Sequence, residues 1–249
     1  MNDVVRLFGN RADSYAIFRP QYPEALFAWL AQQSPARQRA LDIACGNGQA
    51  SASLRRYFAQ VLASDSSVEQ LRAADTAGLA LFAARAEAQP LGDASLDLIV
   101  VAQALHWFAT PEFFREAERL LKPEGLFCAW CYSLMRIDSE LDSLIDGFYA
   151  GTLAGYWPAG RSSVDAGYRD IQSPFAPVEA PQLALETTWS FDHLLGYLRT
   201  WSAVQRWEQQ HGYDPVTDLT PKLRHAWGDI NAPRFIHWPL HCLAGKHKK

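Results

Sequence analysis

The sequence predicts an α/β fold around a parallel sheet, and three observations carry that prediction. Over residues 1–135, short apolar runs alternate with helix-like patterns, the mark of strands joined by crossover helices. One junction, Leu41-Asp42-Ile43-Ala44-Cys45-Gly46-Asn47-Gly48, carries two glycines, so backbone there can approach a ligand closely. The next apolar run, Val61-Leu62-Ala63-Ser64-Asp65, closes on an acid.

In chain order, strands are expected near residues 39–44, 60–65, 79–85, 96–102 and 125–131, with helices between them. The helix beginning near Gln49 has only a weak start signal. Ser66 stands three residues before Glu69, a capping box ahead of an apolar-periodic stretch. Thr110-Pro111 supplies an N-cap and a first-turn proline for a helix over 112–121, and Lys122-Pro123-Glu124-Gly125 turns out of it. From about 133 to 182 glycines and prolines cluster and alternation is lost, which marks an insertion studded with aromatic residues. A strand follows over 183–191, then a helix over 192–210 with Leu194, Tyr197, Leu198, Trp201 and Gln205 along one face. Residues 235–242 read as a last edge strand, because Pro239 cannot donate to a central ladder.

With 249 residues, 49% of them apolar, the chain can bury a sizeable core. Its formal net charge of −4 argues against nucleic acid as a partner, and Lys246-His247-Lys248-Lys249 reads as a solvated tail. No signal-peptide pattern opens the chain, and no apolar run reaches the roughly 18 residues of a membrane span. A cytoplasmic protein without a membrane partner is expected. Cys128 and Cys131 lie three apart on an expected strand and so point to opposite faces, which makes them buried thiols rather than a metal or redox pair. No metal site is expected.

Strand, glycine loop, helix, strand and terminal acid together describe a nucleotide-type site. An acid placed like Asp65 accepts hydrogen bonds from both ribose hydroxyls. The dinucleotide fingerprint wants a third glycine where this chain has Ser51. Asp42, at the end of the first strand, would repel a pyrophosphate but suits a ligand with an amino group. S-adenosylmethionine has an α-amino group, a ribose and no phosphate. These residues tilt the reading towards a methyl donor.

Leu41 to Gly48 resembles the first motif of class I S-adenosylmethionine-dependent methyltransferases, with Ala44 where many members have glycine and Asn47 where many have threonine. Asp65 resembles their ribose acid. Ala86-Glu87 with Pro90 to Ile99 resembles their adenine-side loop and following strand, and Leu120 to Leu126 their turn into the fifth strand. Outside residues 39–131, Arg11 to Tyr15, Phe18 to Pro23, Ala102 to Phe108, Gly167 to Ile171 and Tyr197 to Ser202 are similar to the trans-aconitate methyltransferase-like group. The resemblance implies a Rossmann-like, seven-stranded sheet with a reversed last strand and helices on both faces. It implies one domain over 1–249: a core over about 36–132, an N-terminal flap over 1–35, a lid over about 133–182, and C-terminal strands and helices over 183–249.

Each candidate residue has a role in that reading. Tyr15, Asp42, Ala44, Gly46, Asn47, Gly48, Asp65, Ser66, Ala86, Glu87 and Gln103 are expected at the cofactor, S-adenosylmethionine, or its product S-adenosylhomocysteine. Asp42 either meets that ligand or caps the loop. His106 follows the fourth strand, at the carboxyl edge where such sheets bind ligands; it is either a general base or a wall of the site. Arg19, Trp107, Arg169, Arg199 and Trp201 are expected at the acceptor, since guanidinium forks match carboxylates. The expected reaction is methyl transfer to a small molecule, a carboxylate or another oxygen or nitrogen nucleophile. An NAD-dependent oxidoreductase and a non-catalytic S-adenosylmethionine-binding protein are the alternatives. Oligomeric state is left open.

Overall fold

Unbroken apolar strands demand cover on both faces, and the sheet supplies it. The computed structural model describes residues 18–73 and 79–248. The described residues fall into two compact units: those within 22–132, 162–183 and 240–248, and those within 18–21, 133–161 and 184–239.

The first unit begins with α1 (Glu24–Gln33), then β1 (Arg39–Ile43), α2 (Gln49–Leu54), β2 (Gln60–Asp65), α3 (Val68–Ala73), β3 (Ala80–Ala83) and β4 (Leu96–Ala102). A 3₁₀ turn (Leu105–Trp107) leads to α4 (Pro111–Leu120) and β5 (Leu121–Cys131). Beyond these come α6 (Arg161–Asp165) and β6 (Ala176–Pro177), and the chain returns through β8 (Arg234–Lys246). The strand order is β3-β2-β1-β4-β5-β8-β6, with β7 (Leu183–Trp189) pairing β8. β1 pairs β2 and β4 in parallel, β2 pairs β3 and β4 pairs β5 in the same sense, while β8 runs antiparallel to β5. This is the mostly parallel sheet with a reversed strand that was expected; the two-residue β6 raises its strand number to eight.

Local chemistry explains most boundaries. Thr110 caps α4 by accepting from the Phe113 N–H, with Pro111 in the first turn. The cap of α3 is Ser67 rather than Ser66: its hydroxyl accepts from the Gln70 N–H and donates to Glu69. The turn at 122–125 lies inside β5, not before it. Leu96 pairs Leu121 and Leu98 pairs Leu126, so the intervening residues bulge, with Glu124 at φ 64°. A side chain on Gly125 would stand 2.8 Å from the Lys122 carbonyl oxygen, which fixes glycine there. Asp97 closes the opposite ends of β1 and β4, its buried carboxylate accepting from the Gln38 and Arg39 N–H groups and pairing with Lys122. Cys128 and Cys131 are both buried and form no disulfide, their sulfurs directed to Cys242 and the Val164 carbonyl respectively.

The second unit holds α5 (Ser139–Gly147), a π-helical turn (Phe148–Thr152), α7 (Phe191–Arg199), α8 (Ser202–His211) and α9 (Val216–Trp227). Asp138 caps α5 by accepting from the Glu140 and Leu141 N–H groups, so part of the expected irregular insertion is helical. The single helix expected over 192–210 is two. The Thr200 hydroxyl donates to the Tyr197 carbonyl and Trp201 is extended, at ψ 133°, although apolar periodicity runs through the break. β8 is not an edge strand: β5 and β6 flank it, and its register with β5 starts at His241, two places beyond Pro239.

Candidate active site

Parallel strands end their carboxyl sides on one edge, and the chain changes direction across the sheet between β1 and β4. The glycine loop leaves β1 at that switch point. Ala44, Gly46 and Gly48 take φ of 57°, 55° and 84°, so three alternate residues are left-handed. An alanine in this region carries strain that glycine would not. The loop is tied down by the Cys45 N–H donating to the Ser64 carbonyl, 3.0 Å, and the Gly48 N–H to the Cys45 carbonyl, 2.9 Å. α2 starts from Gly48, which brings no capping side chain. A methyl added to Gly46 would find nothing closer than the Gln70 Oε1 at 3.8 Å, so the loop's outer surface is open.

Asp65 ends β2 beside this loop. Its Oδ2 accepts from the Gly46 N–H at 2.9 Å and its Oδ1 from the Ser67 N–H at 2.8 Å. Burial raises its carboxyl above the usual value, against the pull of those backbone bonds. Asp42 is fully buried on β1. Its Oδ2 accepts from the Ser51 hydroxyl at 2.5 Å, while its Oδ1 is buried without a hydrogen-bond partner. Burial, and then the neighbouring Asp65 carboxylate, push Asp42 up to about 7, although the Ser51 bond pulls the other way. Among the described residues neither acid forms an ion pair. Two uncompensated acids beside an open glycine loop fit a ligand with hydroxyls and a cationic amino group, and they repel a pyrophosphate. The residues present therefore fit S-adenosylmethionine.

Ser51 is a site residue that sequence reasoning missed. Its absent glycine was read, but its hydroxyl is what holds Asp42; the signal was a polar residue on the buried face of α2.

At the end of β4, Gln103 is left-handed at φ 56°. Its N–H donates to the Trp130 carbonyl and its side chain to the Tyr132 carbonyl, 2.9 and 3.0 Å, so it binds the ends of β4 and β5 together. The 3₁₀ turn then presents His106, half-buried, tilted against Trp107 with ring centroids 4.6 Å apart. His106 Nδ1 lies 3.2 Å from the Tyr168 hydroxyl. Past β3, Ala86 packs on the core and Glu87 pairs with Arg85 at 3.5 Å. Asn47 is half-buried in the loop and Ser66 is exposed after β2. Arg169 is exposed; burial, and after it the Arg169 charge, lower the His241 pKa.

The remaining candidates belong to the second unit. Arg19 lies over the Tyr197 ring, 5.1 Å from its centroid. Arg199 is engaged by Asp214 at 2.7 Å. Trp201 is buried among Phe148, Tyr149, Trp157 and Tyr197. Tyr15 lies outside the described residues. Among the described residues no helix is long and apolar enough to cross a membrane, and no three His, Cys, Asp or Glu side chains gather as a metal site.

Comparison with known proteins agrees with this geometry. Residues 41–129 match the family model described as a methyltransferase domain. A Dictyostelium discoideum protein named as an inferred methyltransferase is 32% identical over 243 residues, 92% of each chain. A solved structure from Anaeromyxobacter dehalogenans, described as an inferred type II methyltransferase, is 42% identical and superposes with a TM-score of 0.86, covering 92% of this chain and 98% of that one. A malonyl-[acyl-carrier protein] O-methyltransferase of Pseudescherichia vulneris is 34% identical over 128 residues, 49% of this chain and 50% of its own length.

Proposed function

Because the chain belongs to the class I S-adenosylmethionine-dependent methyltransferases, we propose that it methylates a small-molecule acceptor, a carboxylate in the first instance. The observation that carries the cofactor reading is the pair of uncompensated acids, Asp42 and Asp65, flanking an open glycine loop at the switch point of the sheet. The carboxylate is supported by the O-methyltransferase of malonyl groups among the relatives. The fork of Arg169, in the same unit as the loop, adds to it.

S-adenosylmethionine, when bound, supplies an electrophilic sulfonium methyl group. Asp65 accepts from the ribose hydroxyls while its backbone bonds hold it still. The free Oδ1 of Asp42 meets the amino group. Gly46 and Gly48, with Ala44 and Asn47, keep the loop backbone close to the ligand. Ser66, Ala86, Glu87 and Gln103 border the cofactor. His106 and Trp107 stand at the acceptor end. Alignment of acceptor and methyl is the protein's main contribution, worth ~7–11 kcal/mol in favourable cases. A cytoplasmic location and a single functional domain belong to the same proposal.

Calorimetry with S-adenosylhomocysteine and NAD tests the reading. The wild type is expected to bind the first and not the second, and Asp65→Ala to lose most of the affinity. Binding of NAD, or undiminished affinity in Asp65→Ala, overturns it.

A further inference from the structure

We propose that the second unit carries a binding site for a small organic oxyanion, a carboxylate or a phosphate ester, held by the guanidinium of Arg206. The site is a cavity of about 610 Å³ lined by Ala154, Gly155, Tyr156, Arg206, Gln209 and Gln210. All six residues lie within the second unit, so the site shares no residue with the glycine loop. Its volume falls in the range of small-molecule sites.

One wall is a face of α8. Arg206, Gln209 and Gln210 stand at i, i+3 and i+4, which sets them side by side on that helix. The other wall is Ala154-Gly155-Tyr156, just past the π-helical turn. It is fixed by the Ala154 N–H donating to the Gly151 carbonyl and the Tyr156 N–H to the Leu153 carbonyl, both at 3.1 Å. Gly155 is left-handed at φ 82°, and a side chain there would meet no heavy atom within 4 Å, so bare backbone borders the cavity. Tyr156 is braced by its neighbours: its hydroxyl lies 2.6 Å from the His211 Nε2, and its ring 4.9 Å from Trp207, which stacks on His211 at 4.2 Å. Walls held in place before a ligand arrives lower the ordering cost of binding it.

The lining groups select the ligand. No carboxylate is among them, and their formal charge is that of Arg206. Among the described residues Arg206 forms no ion pair and makes one hydrogen bond, from its Nη1 to the Tyr156 carbonyl at 3.5 Å, the long limit of such a bond. Most of the fork's N–H groups are thus left for a ligand. A guanidinium matches a carboxylate or phosphate through two parallel bonds. The Gln209 and Gln210 amides can donate to a further oxygen of the ligand or accept from a hydroxyl on it. The C-terminal turn of α8 sets a partial negative field against an anion, but the Gly212 N–H takes up the Glu208 carbonyl and solvent screens the remainder. An affinity on the order of millimolar is expected.

The test is an NMR titration of the nitrogen-15-labelled full chain with benzoate, phenyl phosphate and benzamide, read at the backbone signals of Gly155, Gln209 and Gln210. Saturable shifts are expected with benzoate or phenyl phosphate and none with benzamide, which has the shape of benzoate without its charge. The tighter of the two anions tells a carboxylate ligand from a phosphate ester. Arg206→Gln should weaken that binding at least about tenfold, the loss of a charge-assisted bond. Signals that stay still or fail to saturate in the millimolar range overturn the proposal, as does benzamide binding as well as benzoate, or undiminished affinity in Arg206→Gln. The wild-type comparison of benzoate with benzamide decides it if the variant does not fold.

Discussion

Replacing Asp42 by asparagine should change how the ligand-free protein's stability depends on pH, by an amount the structure sets. The carboxyl is buried, bonded through one oxygen to Ser51 and pushed up from 3.8 to about 7. At about 1.36 kcal/mol for each pH unit, that difference is worth about 4 kcal/mol, an upper figure for a single group. The sign follows from the direction. A carboxyl raised in the folded state stabilises fully below its unfolded value of 3.8, and that contribution is lost as pH rises towards 7. Asparagine does not titrate, and its side-chain oxygen can still accept from Ser51. Urea unfolding of both proteins at intervals between pH 4 and 8 should therefore show the variant gaining on the wild type by up to about 4 kcal/mol across that range. A difference that stays constant with pH would mean that Asp42 is already ionised in the fold, and the account of its environment would be wrong.

Two further outcomes are expected. Gly46→Ala places a residue at φ 55° with free space around its methyl, so stability should fall by only about 1–2 kcal/mol while S-adenosylhomocysteine affinity, read by calorimetry, drops at least about tenfold; unchanged affinity would remove the loop from the site. Asp97→Ala strands the Gln38 and Arg39 N–H groups and Lys122, and should cost about 3 kcal/mol or more in urea unfolding at pH 7. Burial pushes the Asp97 carboxyl up, but Lys122 and the two N–H groups hold it below the usual range. Its contribution is therefore present above the ordinary carboxylate pKa and lost on acidification, so the cost of Asp97→Ala should shrink towards pH 3.

The sequence by itself determined the features that depend on neighbours along the chain. Apolar runs from Ala40 to Ile43 and from Leu96 to Val101 could only be buried strands. Thr110-Pro111 marks the start of a helix, and Gly46 and Gly48 mark a left-handed loop, which Asp65, two elements on, braces through the Gly46 N–H. Each is legible because propensity, capping and φ constraint act over a few residues.

Tertiary structure decided whatever depends on register and desolvation. Ser51 is one polar residue in a short helix until the fold presses it onto Asp42, and only there does Asp42 lose its solvent. The break at Thr200-Trp201 is hidden because the apolar stripe continues through it while a side-chain hydrogen bond ends the helix. Arg199 pairs with Asp214 at 2.7 Å, a partner that only the fold brings to it. Tyr168 reaches His106 only because two left-handed residues turn the chain between them. Contacts across such sequence distances are fixed by packing the whole core, and no local pattern encodes them.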